Sequence, residues 1–564
     1  MQRRFLFLHL LVLGAAFTAC SPKFYRNSAD KETYKVIQQK QKAALGKTNE
    51  FSIDTSFSNR DPKSITSAEI IQGRTNSFFL RLSLEDALSM AMTNSRNFQL
   101  RKESLYLLAL GLTHDRYQYT PIFDLSARAD ETRFSTKDQQ VGVHPEGGFT
   151  QVFKGGGRLS VQILNDFLQY YTGDPRRSAL STISANLTQP LLRGSSAKIV
   201  AEQLTQSERD VIYEIRNFAR FQNTFSVGII TTYYRLVQQK DVVRNEYNNY
   251  QILVKGIDRA ENLSFDRLPA FQVDQARQDE LAAKTRYILA VQDYQNKIDS
   301  FKMDLGLPQG VDLLLDDAPL EDLTVAGLLG VPISEEEGFQ MSILHRLDLL
   351  NEIDRFEDAK RKIDVAKDAL RTQLDFVADA SLGSDRPNDY SHFDLDKYQA
   401  SAGFKLNLPI NRLPERNNYR SSLINFEREL RTLAIALDNA KSDIRNGLRT
   451  LGQARQNYEI QRVAAELANR RVESADLLLQ AGRAQIRDLL DAQASLLQAR
   501  NSVSSALVEY HSARLNLLIN LEVLDASKPR FWLAEVKGLG AGPSPVVEHE
   551  KEVIPPDKLF GKKS

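Results

Sequence analysis

The sequence predicts a mainly α-helical chain with a small β part, built from two internal repeats. Landmarks recur at nearly fixed offsets. Pro190 closes Leu187-Thr188-Gln189-Pro190-Leu191, and Pro409 closes Leu406-Asn407-Leu408-Pro409-Ile410, 219 residues later. Leu281, Ala290, Tyr294 and Leu305 recur as Leu497, Ala506, Tyr510 and Leu521, 216 residues later. Ser83, Asn97 and Asp124 align with Ser334, Asp348 and Asp375 at an offset of 251. Constant offsets at separated places signal a duplication. Glycine and proline are nearly absent from the long central segments, which points to helices, and four short segments alternate apolar with polar residues, which points to strands. The fall from 251 to 219 leaves about 32 extra residues between Asp124 and Leu187, a longer loop in the first copy.

The N-terminus comes first. Arg3 and Arg4 precede an apolar run from Phe5 to Phe17 that ends in Thr18-Ala19-Cys20. A basic start, a short apolar stretch and small residues before the cut describe a secretory signal, and the run is too short for a spanning helix. Phe17-Thr18-Ala19-Cys20 resembles a bacterial lipobox with phenylalanine where leucine is usual, which marks Cys20 for acylation. Ser21, a non-aspartate, then sorts the lipoprotein to the outer membrane. An ordinary signal peptide with an incidental cysteine is the alternative. A single cysteine in the chain suits an oxidising compartment. No other 18-residue apolar stretch follows, so a membrane crossing would need strands in a closed barrel.

The predicted boundaries are a signal peptide over 1–19, an N-terminal periplasmic extension over 20–80, repeat 1 over 81–310, a linker over 311–333, repeat 2 over 334–524 and a tail over 525–564. The extension is polar, with one short helix at Lys31–Lys42. Each repeat reads as half-length helix, two strands, full-length helix, half-length helix. In the first, Leu84–Tyr117 is helical, opened by Ser83 as N-cap and by acidic Glu85 and Asp86. Ser195–Asn262 and Ala270–Leu305 follow. The second gives Glu335–Arg371, Glu415–Gln480 and Gln485–Leu521. Two half helices equal one long helix of about 100 Å at 1.5 Å per residue, so the helices form parallel rods of one reach.

The long helix of repeat 2 carries a heptad seam. Leu423, Leu430, Leu437, Ile444 and Leu451 recur every seven residues, each followed after three by Phe426, Leu433, Ala440, Gly447 and Ala454. The small residues let neighbouring helices approach. On heptads alone, a soluble dimeric coiled coil remains open. The strands argue otherwise. Leu374, Phe376, Ala378, Ala380 and Leu382 alternate with polar neighbours, as do Tyr398–Leu408, Phe123–Asp130 and Ile183–Thr188. Two-faced strands about 10 residues long fit a transmembrane barrel, and Phe149, Phe153, Tyr170, Tyr171, Tyr390, Phe393 and Tyr398 supply interfacial aromatics. A small soluble β-domain is the alternative. Four strands per chain cannot close a barrel, so several copies must share one. Pro190 and Pro409 end strands just ahead of helices, where a missing N–H costs little.

At this point the residues resemble the outer-membrane efflux (TolC-type) family, lipoprotein subtype, over about 81–524. The strongest stretch runs from Gly482-Arg483-Ala484-Gln485-Ile486-Arg487-Asp488-Leu489-Leu490-Asp491-Ala492 through Leu497, Ala499, Ala506, Tyr510 and Leu521. Leu187–Gly194 is similar to the family's strand-to-helix junction and Leu82–Leu88 to its opening helix. The resemblance implies a homotrimer with a 12-stranded transmembrane β-barrel continued by a 12-helix periplasmic α-barrel. It implies an exit duct for a tripartite efflux or type I secretion system, working with a periplasmic adaptor (membrane fusion) protein and an inner-membrane pump, in contact with outer-membrane lipid. The rival readings are a periplasmic structural coiled-coil lipoprotein and the adaptor itself, although an adaptor has one hairpin rather than a duplicated unit.

By the same resemblance, Asp488 and Asp491 match the acidic pair at the family's periplasmic gate. Residues i and i+3 share a helix face, so three copies would gather six carboxylates. Gly482, Arg483 and Arg487 are their turn neighbours. Leu479 stands where the family's latch tyrosine would be, and the latch arginine is displaced to Arg483 or Arg487. The first copy has Gln272 and Gln275 at the acidic positions. Solvated surface charges are the bland alternative for Asp488 and Asp491.

Other functions find little support. With 73 basic and 72 acidic residues the chain lacks the electrostatic footprint of a nucleic-acid binder. The seven histidines are scattered, nothing forms a catalytic constellation, and no cofactor or metal is expected. Lys154-Gly155-Gly156-Gly157-Arg158 reads as a hairpin turn, since no helix or Lys-Ser/Thr follows.

Overall fold

Capping residues, glycines and prolines punctuate the chain, and the computed structural model follows them. It describes residues 21–534 except 136–137, 171–176, 265–269, 387–388, 482 and 527. Helices α1 (Pro22–Leu45) and α2 (Ser67–Thr75), strand β1 (Phe79–Leu82), and helices α3 (Leu84–Asn94) and α4 (Arg96–Tyr117) come first. Strands β2 (Ile122–Arg133), β3 (Gln139–Val152), β4 (Arg158–Tyr170) and β5 (Arg177–Pro190) follow. Then come helices α5 (Ala197–Val200), α6 (Glu202–Ser264) and α7 (Ala270–Asp304), strand β6 (Asp312–Leu315), and helices α8 (Ala318–Ala326), α9 (Glu335–His345) and α10 (Leu347–Ala369). Strands β7 (Gln373–Arg386), β8 (Asp389–Phe393) and β9 (Gln399–Asn407) lead into α11 (Leu413–Gln480) and α12 (Ile486–Asn520). The chain is thus mostly helical with a curled antiparallel sheet. It divides into two compact units, each drawing on three separate segments.

The first unit comprises Met1–Ile53, Glu103–Arg216 and Asn351–Ala434. Its sheet runs β2-β3-β4-β5-β7-β9, every neighbour antiparallel, with short β8 pairing only the last residues of β7. The first-copy stretch expected as a loop is therefore a β3–β4 hairpin inserted between β2 and β5. Its turn is at Phe153–Gly157, where Gly156 has φ 82°. A Cβ at Gly156 would lie 2.5 Å from the Gly194 carbonyl oxygen, so the turn admits only glycine without movement. Among the described residues the four expected strands become six long ones, and the twelve-strand count that rested on four does not follow.

Helix α1 is longer than the short helix expected there and buries Val36 and Ile37. Tyr34 packs on Tyr106 at 5.7 Å, and the Tyr106 hydroxyl donates to Asp30 at 2.6 Å. A polar network crosses α6 and α10. Asp358, almost fully buried, accepts from Tyr213 at 2.7 Å and faces Arg209 at 2.6 Å and Arg361 at 2.8 Å. A buried carboxylate is tolerable only with such partners.

The second unit comprises Asp54–Lys102, Asn217–Leu350 and Ile435–Ser564. Here β1 and β6 form a parallel pair that the sequence reading did not anticipate, with Leu82 opposite Leu315. The fully buried Tyr233 hydroxyl donates to the Leu82 carbonyl at 2.9 Å and accepts from the Asp316 N–H at 3.0 Å. Around it, Phe301, Ile444, Leu515, Leu517 and Leu521 form one continuous core. The expected single helices over 84–117 and 335–371 are each broken, at Ser95 and Arg346. Both residues leave the helical region, with ψ near 128° and 112°. At the second break the Arg346 guanidinium reaches Asp348 at 2.9 Å and Asp443 at 2.8 Å, contacts that an uninterrupted helix would not position. The start of the tail also joins the core: Phe531 and Trp532 are buried, and Arg514 donates to the Trp532 carbonyl at 3.0 Å.

Candidate functional site

The turn between α11 and α12 positions the acidic pair. Ala475 on α11 packs with Leu489 and Ala492 on α12, flanked by Val472 and Leu479. Leu479 is thus a packing residue of the hairpin. The end of α11 closes through the Arg483 N–H, which donates to the Leu478 carbonyl at 2.8 Å. Gln485 is the N-cap of α12, and Asp488 is its capping partner, accepting from the Gln485 N–H at 3.0 Å. Carboxylates favour this place because the first-turn N–H groups and the helix dipole are positive. Asp491 lies about one turn on and pairs with Arg487 at 3.7 Å, both side chains more than half exposed. Such a surface pair contributes at most about 1 kcal/mol. Gly482 and Cys20 lie outside the described residues.

A third carboxylate joins them. Asp279 on α7 is half-buried, and its pKa is raised by that burial and then by the negative charge of Asp491, with Arg286 and Arg487 opposing. At the offset of 216 Asp279 corresponds to Ser495, so aligning the copies could not reveal it. Helices α6 and α12 also run close. A Cβ at Gly256 would stand 3.9 Å from Leu490, and Asn245 donates to Asn501 at 2.8 Å.

In the first unit, Pro190 is the last residue of β5, opposite Asp375, and the Leu191 N–H donates to the Leu374 carbonyl at 2.7 Å. Pro409 lies between β9 and α11, and Arg412 donates to its carbonyl at 3.4 Å and to the Thr372 hydroxyl at 3.2 Å. Among the described residues no group of three His, Cys, Asp or Glu side chains forms a metal cluster.

Residues 339–519 match the family model for outer membrane efflux proteins. Over these residues, about a third of the chain, it is similar to an outer membrane efflux protein domain. The matched region runs from within α9 to the end of α12 and includes Asp488 and Asp491. Its family is one of outer-membrane channels, which are not enzymes. No curated protein matches the sequence. Among solved structures, the chain is similar to CusC, in a study of conformational changes accompanying folding and transmembrane channel formation. The TM-score is 0.57 at 12% identity, covering 85% of this chain and 99% of that one. It is similar to the CmeC outer membrane channel of Campylobacter jejuni, with TM-score 0.56 at 15% identity over 78% of this chain and 85% of that one. The open state of the MtrE outer membrane channel of Neisseria gonorrhoeae gives TM-score 0.58 at 12% identity over 78% and 88%. These likenesses show the fold over 78–85% of the chain.

Proposed function

We propose that the chain is the outer-membrane exit duct of a tripartite efflux or type I secretion system. It acts as a homotrimer whose inner end meets a periplasmic adaptor and, through it, an inner-membrane pump. The observation that carries this reading is a sheet in which one apolar row crosses all six long strands, in a chain whose two long helices run 63 and 68 residues. A two-faced sheet cannot sit in a membrane as an open edge, so copies must complete it. Two repeats are supported by the element bounds: α3 and α9 are both 11 residues, and α7 and α12 both 35. Cys20 carries the lipid anchor that holds each copy to the outer membrane.

The gate is a ring of Asp488 and Asp491 from each copy, with Asp279 beside it. Crowded carboxylates favour cations. Conduction is passive, and the duct's contribution is its shape and charge.

The test is purified protein in a planar bilayer. Discrete cation-preferring conductance, with the preference weakened in Asp488→Ala/Asp491→Ala, is the expected result. Protein that never inserts and migrates as lone copies sinks the reading in favour of a periplasmic rod. Metabolic labelling with a radioactive fatty acid, lost in Cys20→Ser, checks the anchor.

A further inference from the structure

The inserted β3–β4 hairpin continues the wall of the sheet in register. One cross-strand row runs Phe123–Phe149–Val161–Ala185–Ala380–Ala400 across β2, β3, β4, β5, β7 and β9, and every member is apolar. The adjacent row on the other face runs Thr150–Ser160–Asn186–Asp379–Ser401 from β3 to β9, and every member is polar. Further along, His144 on β3 touches Asp130 on β2 at 2.9 Å and Asp166 on β4 at 2.7 Å, again on the polar face. A hairpin that folded as a separate loop would have no reason to keep both faces in phase with strands on either side. Exceptions fall on both sides: Ile122 on β2, Leu164 and Leu168 on β4 and Leu180 on β5 stand on the polar side, and Asn165 on β4 with its partner Ser181 on β5 on the apolar side.

The two edges of this sheet are β2 and β9. Every residue of β9 is exposed, and Phe123 and Leu125 on β2 are 75% and 86% exposed. Six strands alternate in direction, so β2 and β9 run opposite ways. Under a rotation axis, β2 of one copy meets β9 of the next antiparallel, and the ladder continues without a break. An odd number of strands would force a parallel junction at each seam.

We infer that the partner of these edges is a second copy of this chain, and that each copy contributes six strands to the membrane wall. Resting on the trimer of the proposed function, this makes an eighteen-stranded barrel. Barrel diameter grows roughly linearly with strand number, so the lumen would be about 1.5-fold wider than one of twelve strands. The widening lies wholly in the first half of the chain.

The experiment uses the full chain with Cys20→Ser, reconstituted in phosphatidylcholine vesicles, with single spin-labelled cysteines at 159–163 on β4 and 183–186 on β5. Oxygen, which dissolves in lipid, should relax labels at 159, 161 and 163, and a water-soluble nickel chelate those at 160 and 162, in step with β5. Native mass of the same samples should give three copies. Cysteine pairs joining 124, 126 or 128 on β2 to 399, 401 or 405 on β9 should form a covalent ladder ending at three. If β5 alternates while all five β4 labels face water, the hairpin stands outside the membrane and the inference falls, with the trimer intact. Alternation on β4 without any β2–β9 cross-link overturns the seam. A mass other than three copies overturns the trimer of the proposed function, and the number eighteen with it.

Discussion

Four helices in each half of the chain have similar lengths, yet the halves differ in their strands and in single buried charges. Helices α7 and α12 are both 35 residues, and α3 and α9 both 11. Against that sameness, the first half supplies four long strands and the second two. On the returning helices, Gln295 and Ile298 of α7 correspond at the 216 offset to His511 and Arg514 of α12. Gln295 is exposed, whereas His511 and Arg514 are buried. Helix lengths are constrained jointly, because rods packed side by side must share one reach. Strand number and single buried charges carry no such constraint, so the halves diverge there.

The largest expected effect tests whether β3 and β4 share the membrane environment proposed for β5, β7 and β9. Val161→Arg on β4 and Ala380→Arg on β7 lie in one apolar row. A cation on a lipid-facing barrel site costs about 2–4 kcal/mol near the midplane. Both variants should lose stability alike in urea unfolding from lipid, while Ser160→Arg on the opposite face should change it by less than 1 kcal/mol. A penalty at 380 without one at 161 would separate the halves.

How much of this was open to sequence reading depended on local pattern. Strands β7 and β9 announce themselves because Ala378, Ala380, Ala400 and Ala402 alternate cleanly with polar neighbours. Strand β3 does not, since Gly142, Pro145, Gly147 and Gly148 occupy positions where strand formers would be expected. Its ladder to β4 lapses at His144 and Pro145, which has no N–H to give. In β4 the alternation slips at Ile163-Leu164, which hides the period. The parallel β1–β6 pair joins two four-residue segments more than 200 residues apart, beyond any local signal. The acidic pair was legible through its Gly-Arg-Ala-Gln setting. Asp279 was not, because its place beside Asp491 comes from helix packing.

The second prediction concerns His511. Burial, then the charge of Arg514, lowers its pKa from 6.5 to about 4, against a hydrogen bond with the Gly327 backbone. The folded protein therefore prefers the neutral ring, and its stability is fully present above pH 6.5. It falls as pH drops from 6.5 toward 4, by about 3 kcal/mol at most, at 1.36 kcal/mol per unit. His511→Gln, which imports the first half's side chain at this position, should flatten the slope of the thermal midpoint over that window. A slope unchanged by the substitution would place the acid sensitivity elsewhere.

A smaller effect is expected at the turn that only the first half has. Gly156→Ala puts a Cβ on a left-handed backbone, which costs roughly 1–2 kcal/mol before the contact with the Gly194 carbonyl is counted. The second half has no counterpart, and Gly403→Ala on β9, where a Cβ would meet nothing within 4 Å, is the control and should be nearly neutral.

The smallest effect separates two helix starts that otherwise look alike. Ser83 accepts from the Asp86 N–H at 3.1 Å, and Ser334 accepts from the Glu337 N–H at 3.3 Å. Only at Ser334 is the bond returned, the Glu337 carboxylate accepting from the Ser334 N–H at 2.9 Å. That bond, with the one from the Ser334 hydroxyl, holds the Glu337 pKa below its ordinary value. Alanine at either serine should cost about 1 kcal/mol, the usual price of a lost N-cap. The discriminating variant is Glu337→Gln against Asp86→Asn. With the carboxylate pKa depressed, its contribution is present at neutral pH and is lost as pH falls through the carboxylate range. Glu337→Gln should therefore remove a small acid-dependent step in amide exchange at the start of α9, whereas Asp86→Asn should leave the start of α3 unchanged. Equal responses would mean that the first half's cap is reciprocal too.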